Sequence, residues 1–322
     1  MKQQEKKPLI ILTGPTAAGK TKLSIGLAKS IGGEIISADS MQVYKKMDIG
    51  TAKIRPEEMG GVPHYLVDEF DPSEEFNVVV FVERAKAAME KIYAAGHIPI
   101  IVGGTGFYIQ ALLYDIDFSE HEEKENYRKE LEQLAKEKGK EYLYEILKEV
   151  DPEYAQIVHF NNVKRVIRAL EYHKETGHKL SEHNKEQRQK DSPYNFAYFV
   201  LYHDREVLYD RINRRVDLMM EDGLLEEVKG LIEEGYTKDL VSMQGLGYKE
   251  ILSWLDGEIS YEEAVYLLKR DTRHFAKRQL TWFRRENEVT WLDKQQFDYD
   301  EEKILEYMIK ELGEKGIYEK QQ

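Results

Sequence analysis

The feature that most constrains the fold of this chain is a run of eight residues close to its start. Residues 14–21 read Gly-Pro-Thr-Ala-Ala-Gly-Lys-Thr, which matches the pattern G-x-x-x-x-G-K-S/T. The run follows an apolar segment at 8–13 that predicts a short buried strand, and it precedes a helical pattern at 19–30. A phosphate-binding loop requires this strand–loop–helix context. The pattern therefore predicts an α/β core with the loop at the carboxyl edge of its sheet.

The chemistry expected of this loop follows from its residue types. Glycines let backbone N–H groups close around phosphate oxygens, and the start of the following helix adds a positive field. The ammonium of Lys20 neutralises phosphate charge, and the hydroxyl of Thr21 is a predicted ligand of Mg²⁺. The motif predicts a polyphosphate or pyrophosphate ligand and leaves open whether it is a nucleotide such as ATP. The predicted phosphate-binding residues are Gly14, Pro15, Thr16, Ala17, Ala18, Gly19, Lys20 and Thr21.

An acidic residue, Asp39, ends a second predicted strand at 34–38. In kinases and ATPases, an acid in such a place holds a metal ion or accepts the proton of a hydroxyl group. An aspartate here can also simply cap a helix. Asp39 is therefore a candidate functional side chain whose role the residue types leave open.

A second glycine-rich turn, Gly-Gly-Thr-Gly at 103–106, follows a predicted strand at 98–102. Ligands of open α/β sheets bind outside the carboxyl ends of the strands, so this turn should lie at the same edge as the phosphate-binding loop. Thr105 is the one side chain in the turn that can donate a hydrogen bond. Turn glycines that serve only the fold are the alternative explanation.

The order of the predicted elements divides the chain. Strands and helices alternate through the first 115 residues, which is typical of a parallel sheet covered by helices on both faces. The chain then becomes rich in Lys and Glu with helical spacing, before a strand pattern returns at 196–202 and mostly helix follows. We predict an α/β fold with a discontinuous P-loop catalytic core, residues 1–118 and 196–322, and a helical insertion domain, residues 119–195.

Composition and charge exclude several classes of protein. The absence of cysteine excludes a disulfide scaffold, a zinc–thiolate site and a cysteine nucleophile. The apolar runs are too short for a signal peptide or a spanning helix, so we expect a cytoplasmic protein with no membrane partner. A net charge of −13 argues against non-specific coating of nucleic acid.

Two stretches nevertheless carry a local excess of positive charge. Residues 161–190 contain eight basic and four acidic residues, and residues 269–288 contain seven basic and three acidic ones. Salt confines the effect of exposed charges to about 8 Å, so a local basic groove is compatible with an acidic chain. Each stretch is a candidate nucleic-acid contact, with an ordinary solvated surface as the alternative.

A series of further motifs in fixed order resembles the tRNA dimethylallyltransferase family. Beside the loop at 14–21 stand Ser-Ala-Asp-Ser-Met-Gln-Val-Tyr at 37–44 and Pro-Ile-Ile-Val-Gly-Gly-Thr-Gly-Phe-Tyr at 99–108. Gly-Leu-Gly-Tyr-Lys-Glu at 245–250 and Lys-Arg-Gln-Leu-Thr-Trp-Phe-Arg at 277–284 follow. The resemblance covers most of the chain and is far more specific than any single motif.

The resemblance implies transfer of the dimethylallyl group from dimethylallyl pyrophosphate to N6 of an adenosine in tRNA. The acceptor is position 37, directly 3′ of the anticodon, in tRNAs that read codons starting with U, and pyrophosphate is released. The loop at 14–21 then holds pyrophosphate with Mg²⁺, and no ATP is hydrolysed. In this family-based assignment Asp39 takes the proton of the adenine amino group, Thr105 contacts the reaction centre and Arg215 reaches the pyrophosphate.

The same resemblance, together with the basic stretches, predicts contacts to the anticodon stem-loop of tRNA. An adenine extruded from the loop is expected to meet Asp39, Ser40, Met41 and Gln42. Arg128 matches a family arginine associated with tRNA. The other predicted tRNA contacts are Lys164, Arg165, Arg168, Gly247, Tyr248, Lys249, Lys277, Arg278, Gln279, Trp282 and Arg284. We expect a monomer.

Three other functions share parts of this pattern. An isopentenyltransferase acting on free AMP, ADP or ATP would need neither the insertion nor the basic stretches. A small-molecule kinase shares the loop and the acid at the strand end, but the ordered later motifs disfavour it. A P-loop module that only binds RNA would tolerate the loss of the Asp39 carboxylate, whereas the prenyltransferase would not.

Overall fold

The structure is a computed structural model that describes residues 6–118, 125–188 and 190–319. The chain divides into two compact units, one formed by Met1–Leu113 with Pro193–Gln322 and the other by Tyr114–Ser192. The predicted insertion spans residues 119–195, and its expected first residue lies outside the described residues. Below, the first unit is called the core unit and the second the insertion unit.

The first part of the core unit alternates strands and helices, as the apolar patterns predict. Asn77 begins the longest of these helices, because its side-chain oxygen accepts hydrogen bonds from the N–H groups of Val79 and Val80. The elements are β1 (Lys7–Thr13), α1 (Lys20–Ile31), β2 (Gly33–Ser37), β3 (His64–Tyr65), α2 (Val78–Ala94), β4 (Ile98–Gly103) and α3 (Gly106–Leu113).

The insertion unit consists of helices in its described part. They are α4 (Glu125–Lys138), α5 (Lys140–Val150), α6 (Pro152–Ile157), α7 (Val163–Thr176) and α8 (Leu180–Arg188). Leu143, Leu147 and Ile167 lie in its apolar core, which confirms the helical spacing seen in the sequence. Asp151 is buried and accepts hydrogen bonds from the N–H of Tyr154 and from the hydroxyl of Ser181, so one carboxylate joins α6 to α8.

The chain then returns to the core unit. The elements are β5 (Tyr194–Tyr202), α9 (Arg205–Glu221), α10 (Leu224–Glu233), α11 (Tyr248–Leu255), α12 (Tyr261–Phe283), β6 (Val289–Asp293) and α13 (Glu301–Glu314). The strand predicted at 196–202 is confirmed as part of β5. β6 departs from the expected mostly helical character, because it is a five-residue strand whose register is set only by pairing with β5.

The six strands form one parallel sheet in the order β3-β2-β4-β1-β5-β6. β1 lies between β4 and β5, with Leu12 opposite Val102 and Phe199. On one face Ile10 and Leu12 pack into a cluster with Leu27 of α1 and Met308 of α13. Side chains of the other face, such as Ile11, are also fully buried. The predicted α/β class with a parallel sheet is confirmed, and burial on both faces explains the continuous apolar strands.

Because the strands are parallel, the chain leaves β1, β2 and β4 at the same edge of the sheet. The phosphate-binding loop, Asp39 and the turn at 103–106 follow these three strands. Among the described residues, no helix has both the length and the apolar content needed to cross a membrane.

Candidate active site

The loop between β1 and α1 has a backbone that only certain residues accept. Gly14 has a φ of 149°, and a Cβ there would lie 2.7 Å from the carbonyl oxygen of Leu201. Gly19 begins α1 with a φ of 90° and supplies no capping side chain to its first N–H groups. Uncapped N–H groups at a helix start form a ready anion site. The backbone of the loop is therefore compatible with an anion at the start of α1.

Two cations and one carboxylate come together at this loop. The Nζ atom of Lys20 donates to the carbonyl oxygens of Gly14 and Pro15 at 3.0 and 2.9 Å. Burial lowers the pKa of Lys20 to about 8, while the nearby Asp39 acts in the opposite direction. Burial also lowers the pKa of Arg215, again with Asp39 opposing. The structure thus brings Lys20, Arg215 and Asp39 within electrostatic reach of one another, although Arg215 lies in α9, far along the chain.

Two further side chains bond to carbonyl oxygens of the loop, a third lies close to it, and no local sequence signal gave any of them a role. The Nε atom of Arg211 donates to the carbonyl oxygen of Ala17 at 2.8 Å, and Nε2 of His203 lies 3.1 Å from that of Ala18. Burial lowers the pKa of His203, so a neutral ring donates this bond through Nε2. The Nζ atom of Lys294 lies 2.9 Å from the position of a Cβ on Gly19 and 3.2 Å from Oε1 of Glu301.

The carboxylate of Asp39 is oriented by its own turn. Its Oδ1 accepts hydrogen bonds from the N–H groups of Met41 at 2.9 Å and Gln42 at 3.3 Å. Its Oδ2 has no hydrogen-bond partner among the described residues. Asp39 lies two residues after the end of β2 and begins no helix, so the capping alternative does not apply. The turn therefore fixes Oδ1 and leaves Oδ2 available to accept a hydrogen bond or a proton.

The turn at 103–106 is joined closely to the end of β2. The N–H of Thr105 donates to the carbonyl oxygen of Ala38 at 3.1 Å, which sets Thr105 beside Asp39. A Cβ on Gly103 would lie 2.2 Å from the same oxygen, so this glycine serves close packing. The glycines of this turn therefore serve the packing of the fold, and this role is compatible with a function for Thr105. The Thr105 hydroxyl has no hydrogen-bond partner within the described ranges and is half-buried.

A half-buried carboxylate holds the loop that follows Asp39. Glu227 of α10 accepts hydrogen bonds from the consecutive N–H groups of Asp48, Ile49 and Gly50 at 2.8, 2.7 and 3.1 Å. It also accepts one from the Tyr248 hydroxyl at 2.6 Å. No local signal in the sequence points to Glu227, because the loop that it holds lies almost 180 residues earlier in the chain.

Three of the predicted tRNA contacts lie inside the core unit. Tyr248 is fully buried, with its hydroxyl on Glu227, so its ring offers no surface to RNA. Gly247 is also buried, and its N–H donates to Glu250 within the first turn of α11. Gln279 is 6% exposed, and both ends of its amide are bonded inside the core unit. A motif shows which residues are constrained and does not show which of them reach the surface.

Other predicted contacts do lie at the surface. In the core unit, Lys277, Arg278 and Arg284 are exposed, and Lys249 and Trp282 are half-buried. In the insertion unit, the exposed residues of α7 are Lys164, Arg165 and Arg168, opposite the buried apolar side of that helix.

The remaining predicted contacts are half-buried. The guanidinium of Arg128 forms two hydrogen bonds of 2.9 Å with the carboxylate of Glu171 in the insertion unit. In the core unit, Ser40, Met41 and Gln42 are half-buried beside Asp39. The Nε2 atom of Gln42 donates to the carbonyl oxygens of the loop at 51–52.

The described residues of the site offer few possible metal ligands. Within the described ranges, no three His, Asp or Glu side chains are grouped as a metal site. The exposed hydroxyl of Thr21 stands at the start of α1, next to Lys20. Mg²⁺ in proteins commonly takes one or two protein oxygens and completes its shell with phosphate oxygens and water. This donor set fits Mg²⁺ only together with a phosphorylated substrate.

Comparison with known proteins identifies the family of this chain. The sequence pattern that defines the IPP transferase family matches residues 42–286, and that of the isopentenyl transferases matches residues 7–74. The chain belongs to the IPP transferase family. A tRNA dimethylallyltransferase of Lachnoclostridium phytofermentans is 64% identical, over 97% of this chain and 99% of that protein. One from Acetivibrio thermocellus is 54% identical, over 95% and 98%.

Solved structures of IPP transferases agree with the fold. The full-length tRNA isopentenylpyrophosphate transferase from Bacillus halodurans superposes with a TM-score of 0.73 at 46% identity, covering 97% of this chain and 98% of that one. A eukaryotic dimethylallyltransferase acting on tRNA gives a TM-score of 0.77 at 34% identity, covering 89% of this chain and 74% of that one. The resemblance stated from the motifs is thereby confirmed.

Proposed function

We propose that this IPP transferase is a tRNA dimethylallyltransferase. It transfers the dimethylallyl group of dimethylallyl pyrophosphate to N6 of adenosine 37, directly 3′ of the anticodon, in tRNAs that read codons starting with U. The observation that carries this proposal is the meeting of a phosphate-binding loop, two half-buried cations and an oriented carboxylate at one edge of the sheet. The names of the relatives at 64% and 54% identity support the same activity.

The donor side of the reaction depends on stabilising a leaving group. When the allylic C–O bond breaks, its electron pair goes to the pyrophosphate, and the allyl carbon gains carbocation character. Preformed donors aimed at the developing charge lower such a barrier. Lys20, Arg215 and the first N–H groups of α1 supply those donors. Bound Mg²⁺, held by the Thr21 hydroxyl and pyrophosphate oxygens, would neutralise part of the remaining charge.

The acceptor side depends on Asp39 and Thr105. The exocyclic amino group of adenine is a weak nucleophile and loses a proton as the new C–N bond forms. The unpartnered Oδ2 of Asp39 is the base that takes this proton, and the turn on Oδ1 keeps the carboxylate in place. The half-buried Thr105 hydroxyl, beside Asp39, contacts the reaction centre.

Recognition of tRNA involves exposed cations in both units. In the core unit these are Lys277, Arg278 and Arg284, and in the insertion unit they are Lys164, Arg165 and Arg168. Such residues bind phosphates and position the RNA, while the base is read at the site where it is extruded. The proposal includes a cytoplasmic location, which suits a chain without cysteine. The monomeric state stays a prediction.

The test is incubation of the pure protein with Mg²⁺ and labelled dimethylallyl pyrophosphate, with unmodified tRNA in one reaction and AMP in another. Label at the adenosine beside the anticodon is the expected result. Label in AMP instead would contradict the assignment of tRNA as the acceptor and would support dimethylallyl pyrophosphate as the donor. If neither acceptor is labelled, the prenyltransferase proposal is overturned, and phosphate transfer from labelled ATP then tests the kinase alternative.

A further inference from the structure

Gln279 joins the two loops that the proposed reaction uses. It lies in α12, and its Oε1 accepts a hydrogen bond from the N–H of Thr16 in the phosphate-binding loop at 2.9 Å. Its Nε2 donates to the carbonyl oxygen of Gly104, in the turn that carries Thr105, also at 2.9 Å. One amide therefore connects the pyrophosphate side of the site to the acceptor side.

The packing of α12 on the second turn leaves this amide little freedom. A Cβ on Gly104 would lie 2.2 Å from Nε2 of Gln279, and a Cβ on Gly106 would lie 2.2 Å from Cδ1 of Trp282. Gln279 and Trp282 are three residues apart, so they share one side of the helix. Two glycines thus allow α12 to lie directly on the turn, with Gln279 held between the turn and the phosphate-binding loop.

These contacts argue against a direct role in binding RNA. Gln279 is 6% exposed. To contact tRNA it would have to give up both hydrogen bonds, which would leave the N–H of Thr16 and the carbonyl of Gly104 without these partners. Removing the partner of a buried polar group is costly, because the group loses water without compensation.

We propose that Gln279 is a positioning residue that sets the separation between the pyrophosphate-binding loop and the Asp39–Thr105 side of the site. This inference rests on the proposed function. Transfer between two bound substrates requires the allyl carbon and the adenine nitrogen to meet at a short distance and in line. A shift of about 1 Å in such an arrangement can cost about 100-fold in rate. Gln279 acts on that distance without touching either substrate.

Two variants separate positioning from RNA binding. Gln279→Met keeps the length of the side chain and removes both hydrogen bonds. Gln279→Glu keeps the acceptor for Thr16 but places a carboxylate oxygen against the Gly104 carbonyl. We expect kcat to fall about tenfold or more in both variants, with the Kd for tRNA within about twofold of wild type. The rates are measured at saturating tRNA and donor, and the Kd by filter binding.

A matched control on the same helix is Thr272→Val. Among the described residues, the Thr272 hydroxyl bonds only to the carbonyl of Leu268 within α12, at 2.7 Å, so its loss should leave kcat unchanged. A second comparison is Lys277→Gln, at an exposed position of the same helix, which should weaken tRNA binding. Thermal unfolding confirms that each variant is folded at the assay temperature. A separate hydrogen bond, from the Thr13 hydroxyl to the carbonyl of Gly103 at 2.6 Å, still joins β1 to the end of β4 in the variants.

The outcomes distinguish the possibilities. A lower kcat with unchanged tRNA affinity supports the positioning role. Weaker tRNA binding with an unchanged kcat identifies Gln279 as an RNA contact and overturns the inference, as does an unchanged kcat in Gln279→Glu. If Gln279→Met does not fold, Gln279→Glu decides the question. A wild-type protein that labels no tRNA contradicts the proposed function itself.

Discussion

The core unit and the insertion unit both present cations, and they hold them in opposite ways. In the core unit, Lys20 and Arg215 are desolvated beside Asp39, and Lys20 is bonded to loop carbonyls. In the insertion unit, Arg165 and Arg168 project from an exposed side of α7 whose other side is apolar. Positive charge is thus held in place at the loop of the core unit and solvated on α7.

This difference separates two kinds of recognition. A desolvated cation interacts strongly, over a short distance, with a ligand in one position, which suits stabilisation of a leaving group. Exposed cations interact weakly and are screened by salt, which suits the holding of a long polyanion in register. Substitutions of Lys20 or Arg215 should therefore change kcat or donor affinity, and substitutions on α7 should change tRNA affinity and its dependence on salt.

The largest effect is expected at Asp39. Asp39→Ala should lower kcat by about 100- to 10,000-fold, because a general base contributes on that scale. Binding of tRNA should remain. Asp39→Asn is the matched control for loop order, because an asparagine oxygen can still accept from the N–H groups of Met41 and Gln42. Single-turnover labelling of tRNA measures both variants, and near-normal turnover in Asp39→Asn would remove Asp39 from the role of base.

The next largest effect is expected at Lys20. Lys20→Met keeps the apolar stem and removes the charge, so kcat/KM for dimethylallyl pyrophosphate should fall by about 100-fold or more. Lys22→Met is the control, because Lys22 is almost fully exposed and pairs with Glu301. The two variants are compared at fixed, saturating tRNA. Equal losses in both would show that the position of the charge does not matter.

A smaller effect should follow from pH. Since burial lowers the pKa of Lys20 to about 8, the group is a cation below that pH and loses its charge above it. We expect kcat/KM for the donor to be level below about pH 8 and then to fall about tenfold per pH unit. Lys20→Arg should stay charged and move this decline upward. A wild-type profile that is level up to pH 9.5 would contradict the assignment.

The smallest effect is expected on α7. Replacing Arg165 and Arg168 by Gln should weaken tRNA binding and reduce the slope of log Kd against log salt by about 0.7 to 0.9 per lost phosphate contact. At saturating tRNA, kcat should not change. Lys148→Gln is the control in the same unit, because Lys148 is already paired with Glu145. An unchanged slope in the double variant would make this side of α7 an ordinary solvated surface.

Much of the fold could be predicted from the sequence because its signals are local. The loop at 14–21, the strands around it and the helices of the insertion unit each depend on spacing within about ten residues. β6 could not be predicted in this way, since its five half-exposed residues become a strand only beside β5.

Only part of the site could be predicted, because some of its residues have local signals and others do not. Asp39, Lys20 and Thr105 follow strands and could be found from position alone. Arg211 and His203 support the phosphate-binding loop from almost 200 residues away, and no local signal reports such contacts. Arg215 entered only through the family resemblance, and the structure then brought it within reach of Lys20 and Asp39.

The sequence by itself determined the class of fold, the phosphate-binding loop and the family, because spacing, glycine placement and motif order are properties of the chain. Only the tertiary structure decided which side of each motif is buried. Gln279 and Arg278 are neighbours in one motif, yet one lies inside the core unit and the other at the surface. Burial is set by what packs against a residue, and here the partners of Gln279 lie in the loops that follow β1 and β4, more than 170 residues earlier in the chain.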